Sequence, residues 1–183
     1  MSKGSILVLS AILLVSLPTL VVASDQEVQG PLNELSIDAA TPVIFNLAVS
    51  NGYAVPVYIS YQRVLANHWV LSVIPGVFYV YDNWSGERYV ATLWLELDWH
   101  PFHEGLQGFF LGPSVVAIYS KNSSSSSESG ASAMVGATLG YQIFLPANLD
   151  LDIAAGLAFG SAPGSGSEMQ GMPRVAIALG YRF

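Results

Sequence analysis

Cysteine is absent from the sequence, and charged residues are scarce. Without cysteine, the chain forms no disulfide bond and carries no lipid on a lipoprotein cysteine. Charged residues make up 10% of the chain, against roughly 25% in an ordinary soluble domain. The hydrophobic share of 52% and the mean hydropathy of +0.48 exclude a disordered chain. This composition is typical of a membrane protein or of a protein with an unusually large dry core.

Basic residues are also few, because six Lys and Arg stand against thirteen Asp and Glu. An acidic chain repels the phosphates of nucleic acids, so we expect no nucleic-acid partner. The sequence also offers no basic face for docking on anionic lipid.

A long unbroken helical run is missing as well. Residues 39–62 carry no charge and are long enough to cross a bilayer as a helix. However, Pro42, Pro56 and the Ser50-Asn51-Gly52 turn would break that helix. Apolar residues in this segment recur at every second position, which favours strands over a transmembrane helix.

The amino terminus has the organisation of a secretory signal peptide. Lys3 precedes an apolar run from Ile6 to Leu17, and the small residues Ala23 and Ser24 follow Pro18 by a few positions. We predict a signal peptide over residues 1–24, followed by a short periplasmic lead over 25–33. An uncleaved membrane anchor is the alternative, and the proline and small residues favour cleavage.

The last eleven residues, PRVAIALGYRF, place a large apolar residue at every second position. These residues are Val175, Ile177, Leu179, Tyr181 and Phe183. A period of two predicts a β-strand with one apolar face. A lipid bilayer can cover such a face, and membrane barrels use strands of about 9–11 residues.

The same alternation predicts eight strands in all, with odd-numbered residues facing outward. Their expected bounds are 34–49, 53–64, 69–81, 88–100, 108–120, 133–144, 149–160 and 173–183. Short turns follow the second, fourth and sixth strands, while the Ser/Gly-rich segments 121–132 and 161–171 are predicted to be flexible loops. We therefore predict an all-β fold over residues 34–183, an eight-stranded antiparallel up-and-down transmembrane barrel with both termini periplasmic.

Charged residues at even positions are predicted to form a network inside this barrel. The set comprises Asp38, Glu96, Asp98, Asp150, Asp152, Arg174 and Arg182. Glu96 and Asp98 fix the inward face of their strand, because hydrocarbon does not tolerate them. We expect Asp38, Asp150 and Asp152 to surround Arg182 and hold the barrel closed, since unpaired buried ions are costly. A narrow polar path through the interior is the alternative.

Aromatic residues gather near the ends of the predicted strands, as in the girdles that membrane barrels place at the two interfaces. They are Tyr53, Trp69, Tyr79, Tyr81, Tyr89, Trp99, Tyr119 and Tyr181.

In this pattern nearly the whole chain beyond the signal peptide resembles the small eight-stranded bacterial outer-membrane barrels of the OmpA/OmpX type. The resemblance implies a location in the outer membrane and contact with its lipid. It also implies insertion by the barrel-assembly machinery, for which Val175, Ile177, Leu179, Tyr181 and Phe183 would be the signal. It implies no activity, because such barrels include adhesins, structural barrels, pores and lipid-modifying enzymes.

The histidines give little support for a metal or catalytic site. His100 and His103 lie in HPFHE, where Pro101 favours a turn over a rigid metal-binding frame. We interpret them as an exposed turn pair. A lipid A deacylase would need a histidine near the outer leaflet, whereas His68, His100 and His103 all fall at predicted periplasmic turns.

We therefore expect a monomeric barrel with a structural or surface-interaction role, no catalysis, no cofactor and no metal. A narrow pore and a lipid A-modifying enzyme are the alternatives.

Overall fold

The computed structural model describes residues 32–38, 52–82, 86–103, 105–122, 129–161 and 169–183. The predicted signal peptide and most of the predicted lead lie outside these residues. So do residues 39–49 of the first predicted strand.

The described residues form eight antiparallel strands that close into a barrel. They are β1 (Asn33–Asp38), β2 (Gly52–Ala66), β3 (Trp69–Asp82), β4 (Gly86–Trp99), β5 (Gly108–Asn122), β6 (Ser129–Phe144), β7 (Leu149–Ser161) and β8 (Met169–Arg182). Each strand pairs with the next along the chain, and β8 pairs with β1. The predicted all-β, closed up-and-down architecture is confirmed. In the described parts of the chain no helix is long and apolar enough to cross a membrane.

Two strands begin well before the positions that the sequence pattern predicts. β6 begins at Ser129 and β8 at Met169, four residues before the expected positions 133 and 173. The reason is pairing with longer neighbours, since Lys121 of β5 aligns with Ser129 and Ser161 of β7 aligns with Met169. Serine and glycine positions that the sequence pattern assigns to flexible loops therefore extend the paired strands.

The two barrel ends differ in how the strands are connected. At one end, here the turn end, lie the short β2–β3, β4–β5 and β6–β7 connections together with the start of β1 and the chain terminus. The opposite end is the loop end. In the β6–β7 turn, Ala147 and Asn148 adopt positive φ values of 61° and 59°, the backbone that a tight hairpin requires.

The seam between β1 and β8 closes the barrel at the turn end. The register aligns Glu34 with Arg182 and Ser36 with Gly180. Asn33 and Phe183 exchange two backbone hydrogen bonds, with N···O distances of 3.2 and 3.0 Å. Arg182 is thereby fixed where β1, β8 and the β6–β7 turn meet.

Residue parity separates the two faces of the wall as predicted. Every exposed large hydrophobic residue within a described strand has an odd number, from Leu35 to Tyr181. The buried polar residues of the strands all have even numbers. Among the described outward positions the charged residues are Arg63, near the turn end, and Glu87 and Lys121, at the loop end.

Candidate functional site

Exposed aromatic side chains form two belts on the outer surface. The turn-end belt contains Trp69, Trp99, Tyr141, Tyr181 and Phe183, and the loop-end belt contains Tyr81, Tyr89, Tyr119 and Phe159. Of the aromatic residues predicted to lie in girdles, Tyr79 is half-buried and packs on Tyr89, with ring centroids 5.2 Å apart. The side chain of Tyr53 lies outside the described set.

The five residues predicted as an insertion signal share one exposed stripe. Val175, Ile177, Leu179, Tyr181 and Phe183 are 42–60% exposed and face away from the barrel. This stripe runs from the middle of β8 to the turn end. Neighbouring strands contribute further apolar side chains to the outer surface. The space between the two belts is therefore an apolar band around the described wall.

The interior of the barrel towards the loop end contains a cluster of buried apolar side chains, here the apolar plug. It consists of Tyr58, Ile74, Phe78, Trp94, Val116, Ile118, Met134 and Ala158. Tyr58 packs edge-on against Phe78, with ring centroids 5.2 Å apart. Half-buried Val80, Val90 and Met172 extend the plug.

Below the apolar plug lies a polar layer that contains all seven residues predicted for the charge network. Arg174 and Glu96 form its central ion pair, with Nη1 and Oε1 2.7 Å apart. Thr138 donates a hydrogen bond of 2.7 Å to the same Glu96 oxygen, and the Arg174 guanidinium lies 5.7 Å from the Trp94 ring centroid. Asp152 and Asp38 also interact electrostatically with Arg174.

Two further acids of the polar layer are held by neutral donors. Ser72 donates a hydrogen bond of 2.7 Å to Asp98 Oδ2, and Gln62 donates one of 3.4 Å to Asp152 Oδ2. Both carboxyl groups are nearly fully buried.

The surroundings of Arg182 differ from the predicted arrangement. Asp150 lies within ion-pair distance, with Nε and Oδ2 3.9 Å apart, whereas Asp38 and Asp152 align with Ala178, four positions along β8. Arg182 Nη2 instead donates to the carbonyl oxygens of Leu145 and Leu149 at 3.1 and 2.9 Å. Its guanidinium carbon lies 3.6 Å from the Phe144 ring centroid. The strand register therefore places Asp150 beside Arg182 and keeps Asp38 and Asp152 away from it.

Two members of the polar layer escaped the sequence interpretation. Glu34 is fully buried at the seam, and Gln142 is 1% exposed. The Gln142 amide donates to Glu34 Oε2 and, at 3.3 Å, to Asp150 Oδ2. The signal that could have found them is their even number, which they share with Asp38 and Asp150.

A second apolar cluster, here the turn-end cap, lies at the turn end. It contains Val64, Val70 and Leu106, with half-buried Phe144 packed against them. Leu106 belongs to the β4–β5 turn and folds inward, because the Gly105 amide donates to the Asn67 carbonyl at 2.7 Å and ties this turn to the β2–β3 turn. The polar layer thus lies between the apolar plug and the turn-end cap, and Phe110, Ala154 and Ala176 form a third, smaller buried apolar cluster.

The expectation of an exposed histidine pair is wrong for His100. Its side chain is 1% exposed and stacks on Phe110, with ring centroids 5.5 Å apart, whereas His103 is exposed. Burial lowers the pKa of His100, although a hydrogen-bond contact between Nδ1 and the Gln107 carbonyl at 3.3 Å opposes the effect. The turn folds over the barrel end, and periodicity cannot reveal this. Glu104 lies outside the described residues.

Neighbouring atoms fill the space beside the glycines that face the interior. A side chain at Gly76 would meet the Tyr58 ring, and one at Gly112 or Gly136 would meet the backbone of the adjacent strand. At Gly156 it would lie 2.9 Å from Thr138 Oγ1. These glycines permit close packing of the wall and its contents.

No group of three or more His, Cys, Asp or Glu side chains that would suit a metal ion occurs among the described residues. Comparison with models of known protein families and with curated proteins finds no match.

Proposed function

We propose that the chain is a bacterial outer-membrane barrel of the OmpA/OmpX type, with a structural or surface-interaction role and no catalysis. The observation that carries this proposal is the apolar band. It combines exposed aliphatic residues with an aromatic belt at each edge, while the charged residues of the mid-strand lie inside. In a soluble barrel, apolar side chains on the outer surface and charged side chains in the interior would not add to stability.

The height of the band supports a membrane-spanning barrel. Tyr89 and Trp99 mark the two belts on β4. Ten residues at about 3.4 Å each, on a strand tilted by about 40°, span about 26 Å along the barrel axis. Outer-membrane barrels carry an apolar band of about 25 Å. With the turn end in the periplasm, both ends of the described chain would lie on that side.

The apolar plug and the turn-end cap favour a non-conducting barrel more than a pore. Aliphatic and aromatic side chains make up most of the apolar plug and of the turn-end cap, so both clusters offer a permeating ion few polar groups that replace water. The polar layer between them is the feature that favours a narrow pore, so conductance is the measurement that separates the two. We expect no steady single-channel current in planar bilayers. A reproducible open level would favour the pore.

The position of the histidines weighs against a lipid A-modifying enzyme. His68, His100 and His103 all lie at the turn end, which this proposal places away from the outer leaflet. Lipid A from cells with and without the protein is expected to have the same mass spectrum.

Heat-dependent mobility on a denaturing gel tests the barrel in its proposed setting. Outer-membrane barrels keep their fold in detergent until they are boiled, so we expect unboiled protein from the outer-membrane fraction to migrate differently from boiled protein. Identical mobility, or recovery in the soluble fraction, would contradict the proposal.

A further inference from the structure

Two carboxyl groups meet at the barrel seam without a cation between them. Glu34 of β1 and Asp150 of β7 are fully buried, and their side chains lie within hydrogen-bond reach of each other. Both reach over Gly180 of β8, where Glu34 Oε1 and Asp150 Oδ1 occupy the space that a side chain at position 180 would fill.

The facing oxygens of this pair lack a donor. Glu34 Oε1 and Asp150 Oδ1 accept no hydrogen bond from any residue that the structure describes. Gln142 serves only the opposite oxygens, Glu34 Oε2 and Asp150 Oδ2. The hydroxyl of Ser36, which aligns with Gly180, also has no partner within the described chain and is 1% exposed.

The charges around the pair do not neutralise it. Arg182 is the facing cation, and it lies 3.9 Å from Asp150 Oδ2 and shares its guanidinium with two carbonyl groups. Two adjacent ionised carboxylates in a closed interior repel each other, and such pairs retain a proton. The polar and charged groups that face Glu34 are Asp38 on β1, Gln62 on β2, Gln142 on β6, Asp150 and Asp152 on β7, and Arg182 on β8.

We propose that Glu34 and Asp150 bind one shared proton, taken up from solvent when the barrel closes. The proton is bonded to Glu34 Oε1 and donated to Asp150 Oδ1, which supplies the missing donor at the seam. A proton fits this place without added volume. The inference depends on the seam geometry and not on the proposed function.

Glu34→Gln tests the shared proton, because an amide supplies the same donor without titrating. The full chain is folded in detergent micelles and unfolded in urea at pH values from 6 to 8, with Glu87→Gln, at an exposed position, as the matched control. Folding of the wild type takes up a proton, so its stability falls as pH rises. We expect the folding equilibrium constant of the wild type, relative to Glu34→Gln, to fall up to tenfold per pH unit. Parallel curves for the two proteins would overturn the proposal.

A second readout holds even if Glu34→Gln does not fold. Wild-type protein with carbon-13 at its glutamate carboxyl carbons is expected to show the infrared carbonyl band of a protonated glutamic acid at pH 8. Absence of that band would overturn the proposal. So would a stabilisation by added calcium that chelator reverses and Glu34→Gln abolishes, because a metal ion would then occupy the place of the proton.

Discussion

At the residue scale, the central contact of the interior is the ion pair of Arg174 with Glu96. Both side chains are at least nine-tenths buried, and the pair is 2.7 Å apart. Removing one partner of a buried pair leaves an uncompensated charge, at a cost of about 3–5 kcal/mol. We expect Arg174→Leu to lower the free energy of unfolding in urea by this amount.

Lys121→Leu provides the control for that change, since Lys121 is exposed at the loop end. It is expected to alter stability by no more than about 0.5 kcal/mol. Adding Glu96→Gln to Arg174→Leu removes the orphaned carboxylate and is expected to recover part of the loss. Equal stabilities of Arg174→Leu and Lys121→Leu would show that the interior charges are not coupled.

His100 contributes a pH dependence of the opposite sign to that of the seam. Burial lowers the pKa of His100 from its ordinary 6.5, so the unfolded chain binds a proton there before the folded protein does. The stability that this group contributes is present above about pH 6.5 and is lost as pH falls.

We expect His100→Phe to be less sensitive than the wild type to a shift from pH 7 to pH 5, by up to about 1.4 kcal/mol per pH unit. His103→Gln changes an exposed histidine and is expected to retain the wild-type curve. Urea titrations at several pH values make the comparison. A wild-type response in His100→Phe would show that the buried imidazole does not govern acid stability.

At the element scale, β8 combines closure of the barrel with the proposed insertion signal. Its backbone pairs with β7 and β1, while the Phe183 ring is 60% exposed. Phe183→Leu keeps the backbone bonds and the apolar character but removes the aromatic ring. We therefore expect less protein to be assembled in the outer membrane, with the stability of the folded fraction changed by no more than about 0.5 kcal/mol.

Phe102→Leu is the matched control, because Phe102 is an exposed aromatic residue of the β4–β5 turn. It is expected to leave assembly unchanged, as judged by the heat-modifiable fraction in membranes. Equal assembly of Phe183→Leu and wild type would show that the terminal aromatic ring is not part of the insertion signal.

Strands were the part of this fold most accessible from sequence. A period of two identifies a pleated element and its two faces without reference to neighbours, and it located the eight strands and their outward parity. It failed where pairing decides the outcome. Ser129 and Met169 join strands because β5 and β7 extend beside them.

Contacts across the barrel were predictable only in part. The even positions placed Glu96, Asp98 and Arg174 in one interior, but the partner of Arg182 depends on strand register and turn geometry. The burial of His100 depends on the inward fold of a turn, and no local pattern encodes it.

At the scale of the whole molecule, the described strands form a barrel whose mid-strand charged residues face the interior and whose exposed large apolar residues face outward. A conventional soluble core buries apolar groups on one side of each strand and leaves polar groups on the other. Here the described interior holds the apolar plug, the turn-end cap, a smaller apolar cluster of Phe110, Ala154 and Ala176, and the polar layer, while the exterior carries the apolar band. Under the proposed function, lipid is the environment that stabilises this exterior.

The stability of Leu95→Arg in lipid vesicles tests this account most directly. Leu95 is 41% exposed near the middle of the band on β4, and Glu87→Arg places the same side chain outside the loop-end belt. We expect Leu95→Arg to lose about 2–4 kcal/mol and Glu87→Arg about 0–1 kcal/mol, the depth dependence that a bilayer imposes. Equal and small losses at both positions would contradict a lipid-facing band.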